Sequence, residues 1–284
     1  MRKILLSLAG GSIPGGLFMA GAIEELVKKF EVKKVSGASS GALNAVTLMS
    51  GNGENLSQMW LESLSNLESF VTFNPREVIK NNSFFKIKDF ADSIFEKIVK
   101  DNYLEKCHDT LVVYTKLNVS LSYSNNITVK DRLLFPALIF PSVRKSIGMT
   151  TETIDLETVS EEQKLSILKA SCCLPFFYGL PVKIDGHIAF DGQMNQDLGG
   201  AQKLLRFYES GDYIALIFRY EKGSAKNISR TQSFLNLCNA YKIPSDHIII
   251  LAPEEKLPLS GHYDVDQKSY QLCIEAGKEI AKNI

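Results

Sequence analysis

Val32-Lys33-Lys34-Val35-Ser36-Gly37-Ala38-Ser39-Ser40-Gly41-Ala42-Leu43-Asn44-Ala45-Val46 is the stretch on which the fold turns. Val32 to Val35 read as a short strand, and Ala42, Leu43, Ala45, Val46 and Met49 read as a buried helix ending near Gly51. Between them lies Gly37-Ala38-Ser39-Ser40-Gly41, a G-x-S-x-G pentapeptide. A strand-to-helix elbow this tight requires small residues at Gly37 and Gly41, because a Cβ at either flank would meet backbone. Its product is a Ser39 hydroxyl presented at a helix N-terminus, whose unpaired N–H groups favour developing negative charge. The same letters also describe a plain βα turn in which Ser36, Ser39 or Ser40 caps the helix.

Upstream, Lys3 to Leu8 reads as a buried first strand, followed by the loop Gly10-Gly11-Ser12-Ile13-Pro14-Gly15-Gly16. Leu17, Ala20, Ile23 and Val27 then recur at helical spacing. Two β-loop-α units in succession predict an α/β fold with a mainly parallel sheet covered by helices. Ligands of such sheets gather at the carboxyl ends of the strands, which sets the glycine loop beside the elbow. Dense glycine lets backbone N–H groups converge on one point, as an oxyanion hole requires. Two phosphate-loop readings fail on the letters: neither Gly10 nor Gly11 has glycine two places on, and Leu17-Phe18 stand where a P-loop needs Lys and Ser or Thr. Arg2-Lys3 and the short apolar run after them imitate a signal peptide, but the run of six residues is too brief for a signal core.

Composition narrows the function classes. Apolar residues make up 45% and charged residues 23%, which excludes wholesale disorder. The 32 basic and 32 acidic residues cancel, which argues against a nucleic-acid partner. No run approaches the ~18 apolar residues of a membrane helix. Cys107, Cys172, Cys173, Cys238 and Cys273 form an odd set without a C-x-x-C pair, so neither a disulfide framework nor a zinc site is expected. The adjacent Cys172 and Cys173 read as small buried apolar residues. A cytoplasmic, reducing location is the expectation, with no metal and no cofactor. Nothing in the letters reports an oligomeric state.

Residues 54–109 read as a helical covering or lid-like segment, clearest from Phe85 to Lys100, with Ile87, Phe90, Ala91, Ile94 and Ile98 on one face. Leu111–Lys116 and Val119–Tyr123 read as strands, whereas Leu133–Pro141 is apolar but broken by prolines and reads as a loop or edge. Val182–Ile184 and His187–Phe190 flank Asp185-Gly186, a hairpin turn. Tyr213–Tyr220 and His247–Leu251 read as further strands, with helices at 230–242 and 267–282. No repeat or linker interrupts the chain, so 1–284 is expected to be one domain.

Downstream of the hairpin comes Asp191-Gly192. A glycine-rich loop, a G-x-S-x-G elbow and a later Asp-Gly, in this order, resemble the patatin-like phospholipase family. Ala170-Ser171-Cys172-Cys173-Leu174-Pro175, Pro181-Val182 and Ile184-Asp185-Gly186 resemble that family's approach to its catalytic aspartate. The resemblance covers residues 3–50 and 168–198. It departs where Ser12 stands for the loop's third glycine, where Pro14 replaces a basic residue and brings neither charge nor N–H, and where Gln193 follows Asp-Gly.

The resemblance implies a three-layer α/β/α sandwich and a lipid ester substrate cleaved by a Ser-Asp dyad. Ser39 would attack the ester carbonyl, Asp191 would take its proton, and N–H groups of Gly10, Gly11, Ser12 and Ser40 would receive the oxyanion. An aspartate works as such a base through its position, through desolvation, or both. Two other readings stay open. One is an α/β-hydrolase triad of Ser39 and Asp191 with His247 or His262. The other is an inactive scaffold that binds lipid or protein. Transient contact with a membrane surface could use the helix Phe85–Lys100 or the segment Leu133–Phe140, although an amphipathic helix more often covers its own sheet.

Overall fold

A computed structural model of the chain describes residues 1–65, 87–120, 148–174, 182–192, 198–258 and 266–284, apart from the side chains of 87–91 and 118–120. The strands are β1 (Arg2–Leu8), β2 (Phe30–Ala38), β3 (Thr110–Ser120), β4 (Met149–Asp155), β5 (Val182–Ile184), β6 (His187–Asp191), β7 (Tyr213–Ile217) and β8 (Ile248–Leu251). The helices are α1 (Ser12–Leu26), α2 (Ser40–Thr47), α3 (Leu56–Ser65), α4 (Ile87–Lys100), α5 (Tyr103–Lys106), α6 (Glu161–Cys172), α7 (Ala201–Leu204), α8 (Ala225–Ala240) and α9 (Gln267–Lys282).

All eight strands share one sheet. β1 lies at its centre and runs parallel to β2 and β7, β2 runs parallel to β3, and β7 to β8. At the far side β3 takes antiparallel partners in β4 and β6, and β5 closes a hairpin with β6. The result is an α/β/α sandwich with a mainly parallel central sheet.

Alternation along the buried strands builds the two faces. Ile4, Leu6 and Leu8 of β1 and Ala215 and Ile217 of β7 join the larger core, with Leu17 and Phe18 of α1 and Tyr270 and Ile274 of α9. Leu5, Ile214 and Leu216 point the other way, onto Leu204 and Phe234 of the opposite helices. Strands buried on both faces carry apolar residues at nearly every position, which explains the unbroken run in β1.

Several elements differ from expectation in informative ways. The glycine loop is shorter than its letters suggest, because α1 already begins at Ser12 and the Gly15 N–H donates to Gly11 O at 3.0 Å to close the first turn. Leu111–Lys116 and Val119–Tyr123 are not two strands up to Ser120, where β3 runs through without a break. β4 had no expectation at all: Met149-Thr150-Thr151-Glu152-Thr153-Ile154-Asp155 carries little apolar patterning and sits half-exposed at the edge of the sheet. α6 was likewise unforeseen, although Ser160 and Gln163 form a capping box at its start. The Leu133–Phe140 segment lies outside the described residues. In α4, Ile94, Phe95 and Ile98 are buried, so that face covers the protein's own core.

Candidate active site

The register of β3 brings the two halves of the site together. Residues 111–117 of β3 pair with β4 along one edge. The other edge is shared: Val35 to Ala38 of β2 pair with Thr110 to Val113, and Asp191 of β6 pairs with the next residue, Tyr114. β2 and β6 therefore meet end to end on one edge of β3. Ser39 leaves β2 one residue after Ala38, at the point where β6 ends in Asp191.

Ser39 itself sits at φ 55° and ψ −128°, a left-handed conformation that a side chain rarely adopts and that marks a strained strand-to-helix elbow. Its flanking glycines are obligatory. A Cβ on Gly37 would lie 2.3 Å from Gly41 O, and one on Gly41 would lie 2.2 Å from Leu8 O. Behind the serine, Ala42 N–H and Leu43 N–H bond back to Ser39 O at 2.8 and 3.3 Å. Helix geometry then leaves the first amides of α2, those of Ser40 and Gly41, without intrahelical acceptors.

The end of α6 clamps both residues. Ser171, fully buried, accepts the Ser39 N–H at 3.0 Å and donates its hydroxyl to Val113 O at 2.5 Å. Two residues on, Cys173 O accepts the Asp191 N–H at 3.0 Å. Between them the Cys172 thiol donates to Ser39 O at 3.4 Å. Burial, with the Asp191 charge next in importance, pushes the Cys172 and Cys173 thiols well up. Both cysteines are thus held as neutral thiols, not nucleophiles, and none of the five cysteines forms a disulfide.

Asp191 is 1% exposed and Ser39 8% exposed. Thr115 Oγ1 donates to Asp191 O at 2.9 Å, which fixes the strand end. Among the described residues the Ser39 hydroxyl makes no hydrogen bond, so serine and aspartate adjoin through backbone register without a side-chain bond in this state. Catalytic contacts of unliganded enzymes are often open in this way.

The glycine loop reaches the elbow through a side chain. Gly11 N–H donates to Ser40 Oγ at 2.9 Å, so one of the expected oxyanion donors is already engaged. Ser12 takes φ 56° at the start of α1, a left-handed conformation that glycine adopts without cost. Gln193 lies outside the described residues.

The histidines fall elsewhere. His247 precedes β8, stacks on Tyr213 at 4.8 Å between ring centroids, and places Nδ1 3.0 Å from Asp212 O. Tyr213 opens β7, so His247 occupies the amino-terminal edge of the parallel strands, opposite Ser39. A triad through His247 is ruled out by that placement, and His262 lies outside the described residues. His108 is exposed and 3.5 Å from Glu157, and His187 opens β6 opposite Ile184.

Two contributors had no signal of their own. Ser171 stood in the family-like text, but its bond to the elbow depends on α6 returning over β3. Arg219 stands two residues past β7, and its guanidinium Nη1 donates to Gly11 O at 3.4 Å. No linear spacing links it to the loop.

The fold thus sets a strained serine elbow at the carboxyl edge of an α/β/α sandwich, with a buried aspartate at the adjoining strand end. The model of the patatin-like phospholipase family matches residues 6–196, and the chain belongs to that family. Among solved structures it is similar to VipD from Legionella pneumophila, at a TM-score of 0.42 and 13% identity over 99% of this chain and 66% of that one. The chain thus spans slightly less than two thirds of that structure's length. No curated protein matches at a significant level. Among the described residues no helix is long and apolar enough to cross a membrane.

Proposed function

We propose that the protein is a lipid acyl hydrolase of phospholipase A or lysophospholipase type, acting through Ser39 and Asp191 as one domain over 1–284. Family membership supports lipid hydrolysis as the class of activity. The observation that carries the finer reading is the β3 register, which sets Ala38 and Asp191 opposite the consecutive residues Val113 and Tyr114.

Ser39 Oγ attacks the ester carbonyl as Asp191 takes its proton, and the negative charge falls on backbone N–H groups of Gly10, Ser12 and Ser40. Gly11 joins them when its N–H leaves Ser40 Oγ. Collapse of the tetrahedral intermediate expels the alcohol, which receives the proton from Asp191. Water then attacks the acyl-serine with Asp191 again as base, releasing the fatty acid. The elbow helix favours each oxyanion through its N-terminal dipole. The five free cysteines, four of them buried, fit a reducing, cytoplasmic setting.

The occupied Gly11 N–H favours a second reading, an inactive scaffold. A phosphonate probe separates the two: labelling of wild type that vanishes in Ser39→Ala supports the hydrolase, and no labelling of folded protein supports the scaffold. With phospholipid, lysophospholipid, acylglycerol and short p-nitrophenyl esters, Ser39→Ala and Asp191→Asn are each expected to lose at least about a thousandfold in kcat. Retention of activity in either variant would remove the dyad.

A further inference from the structure

Gly11 is held from both sides. Its carbonyl accepts the Gly15 N–H at 3.0 Å and the Arg219 guanidinium at 3.4 Å, and its N–H donates to Ser40 Oγ at 2.9 Å. A Cβ on Gly11 would stand 2.8 Å from Gly15 Cα and 3.0 Å from Arg219 Cδ, and one on Gly15 would stand 3.1 Å from Arg219 Cβ. Glycine at both positions opens the slot through which the arginine stem runs, and the start of α1 is brought against the start of α2.

The facing side of α2 is fixed as closely. Ser40 and Asn44 stand four residues apart and share one face of the helix. Asn44, fully buried, donates to Gly16 O at 2.9 Å and accepts the Trp60 indole N–H at 2.7 Å. Ser40 on Gly11 and Asn44 on Gly16 thus pin α2 to α1 at two successive turns. Ser40 is 4% exposed. Its oxygen accepts from Gly11, but among the described residues its own proton has no acceptor. A buried hydroxyl rarely leaves its proton unbonded unless a ligand or a water takes it. This one adjoins Ser39, on the residue whose backbone N–H already faces the oxyanion, so its proton is free where negative charge develops.

We propose that the Ser40 hydroxyl is a catalytic group, a side-chain donor to the oxyanion of the tetrahedral intermediate. This inference rests on the proposed hydrolase and adds a residue to its machinery. The hydroxyl gives a hydrogen bond and keeps its proton; Asp191 remains the only base. While the Gly11 N–H stays on Ser40 Oγ, it polarises the O–H and strengthens it as a donor. Once that N–H leaves, Gly11 and Ser40 both turn to the oxyanion. The contact that engages Gly11 in the resting state is therefore not a block on the site.

The test compares wild type with Ser40→Ala, Ser40→Thr and Ser40→Cys on p-nitrophenyl butyrate and dihexanoylglycerol. Ser40→Ala is expected to lose about a hundredfold in kcat, the effect of deleting one oxyanion donor, with KM changed less than about threefold. Ser40→Thr, which keeps a hydroxyl, should recover at least about tenfold of that loss. An unchanged or higher kcat in Ser40→Ala would show that the hydroxyl merely occupies Gly11, and overturns the proposal. Should Ser40→Ala fail to fold, Ser40→Cys decides: its S–H is a weak donor, so a loss of about tenfold or more supports the proposal and full kcat overturns it. An alkyl trifluoromethyl ketone separates donation from mere positioning, because its adduct with Ser39 carries the oxyanion. Its Ki should rise in Ser40→Ala by the factor that kcat falls; a fall in kcat with unchanged Ki overturns the donor role. A wild type that neither hydrolyses these esters nor takes a phosphonate on Ser39 removes the hydrolase and this inference together, whereas an active wild type with an equally active Ser40→Ala removes the hydroxyl alone.

Discussion

The two edges of the parallel sheet treat charge in opposite ways. At the amino-terminal edge Lys33 and Lys34 are closed by carboxylates. Lys34, 4% exposed, donates to Asp155 at 3.0 Å and Asp109 at 3.2 Å, tying β2 to both flanks of β3 and β4. Beside it Lys33 meets Glu209 at 2.7 Å and Asp212 at 2.9 Å. At the carboxyl edge Arg219 and Lys226 have no such partners among the described residues, Ser39 holds a left-handed backbone, and its hydroxyl is unbonded. Charge neutralised within the fold serves the fold; charge and strain left open mark where a ligand is to be met.

The contrast can be broken by moving one group at each edge. The largest effect is expected at the site, in Ser171→Ala. Without the hydroxyl, the Ser39 N–H and Val113 O lose their shared partner, and the elbow shifts. A fall in kcat of about tenfold to a hundredfold is expected with KM nearly unchanged, together with slower phosphonate labelling. A lower melting temperature with full kcat per labelled site would reduce Ser171 to a packing role.

At the opposite edge the expected effect is on stability alone. Lys34→Met leaves two carboxylates facing each other without a cation and should cost about 2 kcal/mol in urea unfolding, discounted because Asp109 is half-exposed. Activity should persist. Burial pulls the Lys34 ammonium down, but its hydrogen bonds to Asp155 and Asp109 outweigh burial and raise it above the ordinary lysine value. Its stabilising contribution is therefore complete below the unfolded lysine pKa of about 10.4 and is lost as pH rises through the higher folded value. Wild type should lose stability more steeply than Lys34→Met across that alkaline window; parallel curves would show that the triad contributes nothing.

The smallest effect sharpens the comparison. His247→Ala, at the amino-terminal edge, should change ester hydrolysis by less than about twofold, a loss set by packing against Tyr213. A loss near a thousandfold would contradict the geometry that separates His247 from Ser39.

Much of this was legible in the letters because its causes are local. Gly37 and Gly41 announce an elbow, since only hydrogen fits against Gly41 O and Leu8 O. Asp185-Gly186 announces a hairpin, and both residues indeed take positive φ, 50° and 77°. β4 was invisible because an edge strand with one half-exposed face needs no apolar alternation. Where α1 starts was hidden for a related reason: glycines that look like a loop can be the first turn of a helix when a neighbouring side chain, here Arg219, requires the space.

By itself the sequence determined the βα units, the serine elbow, the aspartate hairpin and the α/β class, all set by backbone sterics and burial patterns acting over a few residues. Only the tertiary structure decided that β2 and β6 abut on one edge of β3, that Ser171 ties the elbow to that strand, and that Arg219 enters the glycine loop from β7. Those relations depend on strand register and on chain segments that meet after long excursions, and hydrogen bonds between such segments leave no spacing in the sequence to read.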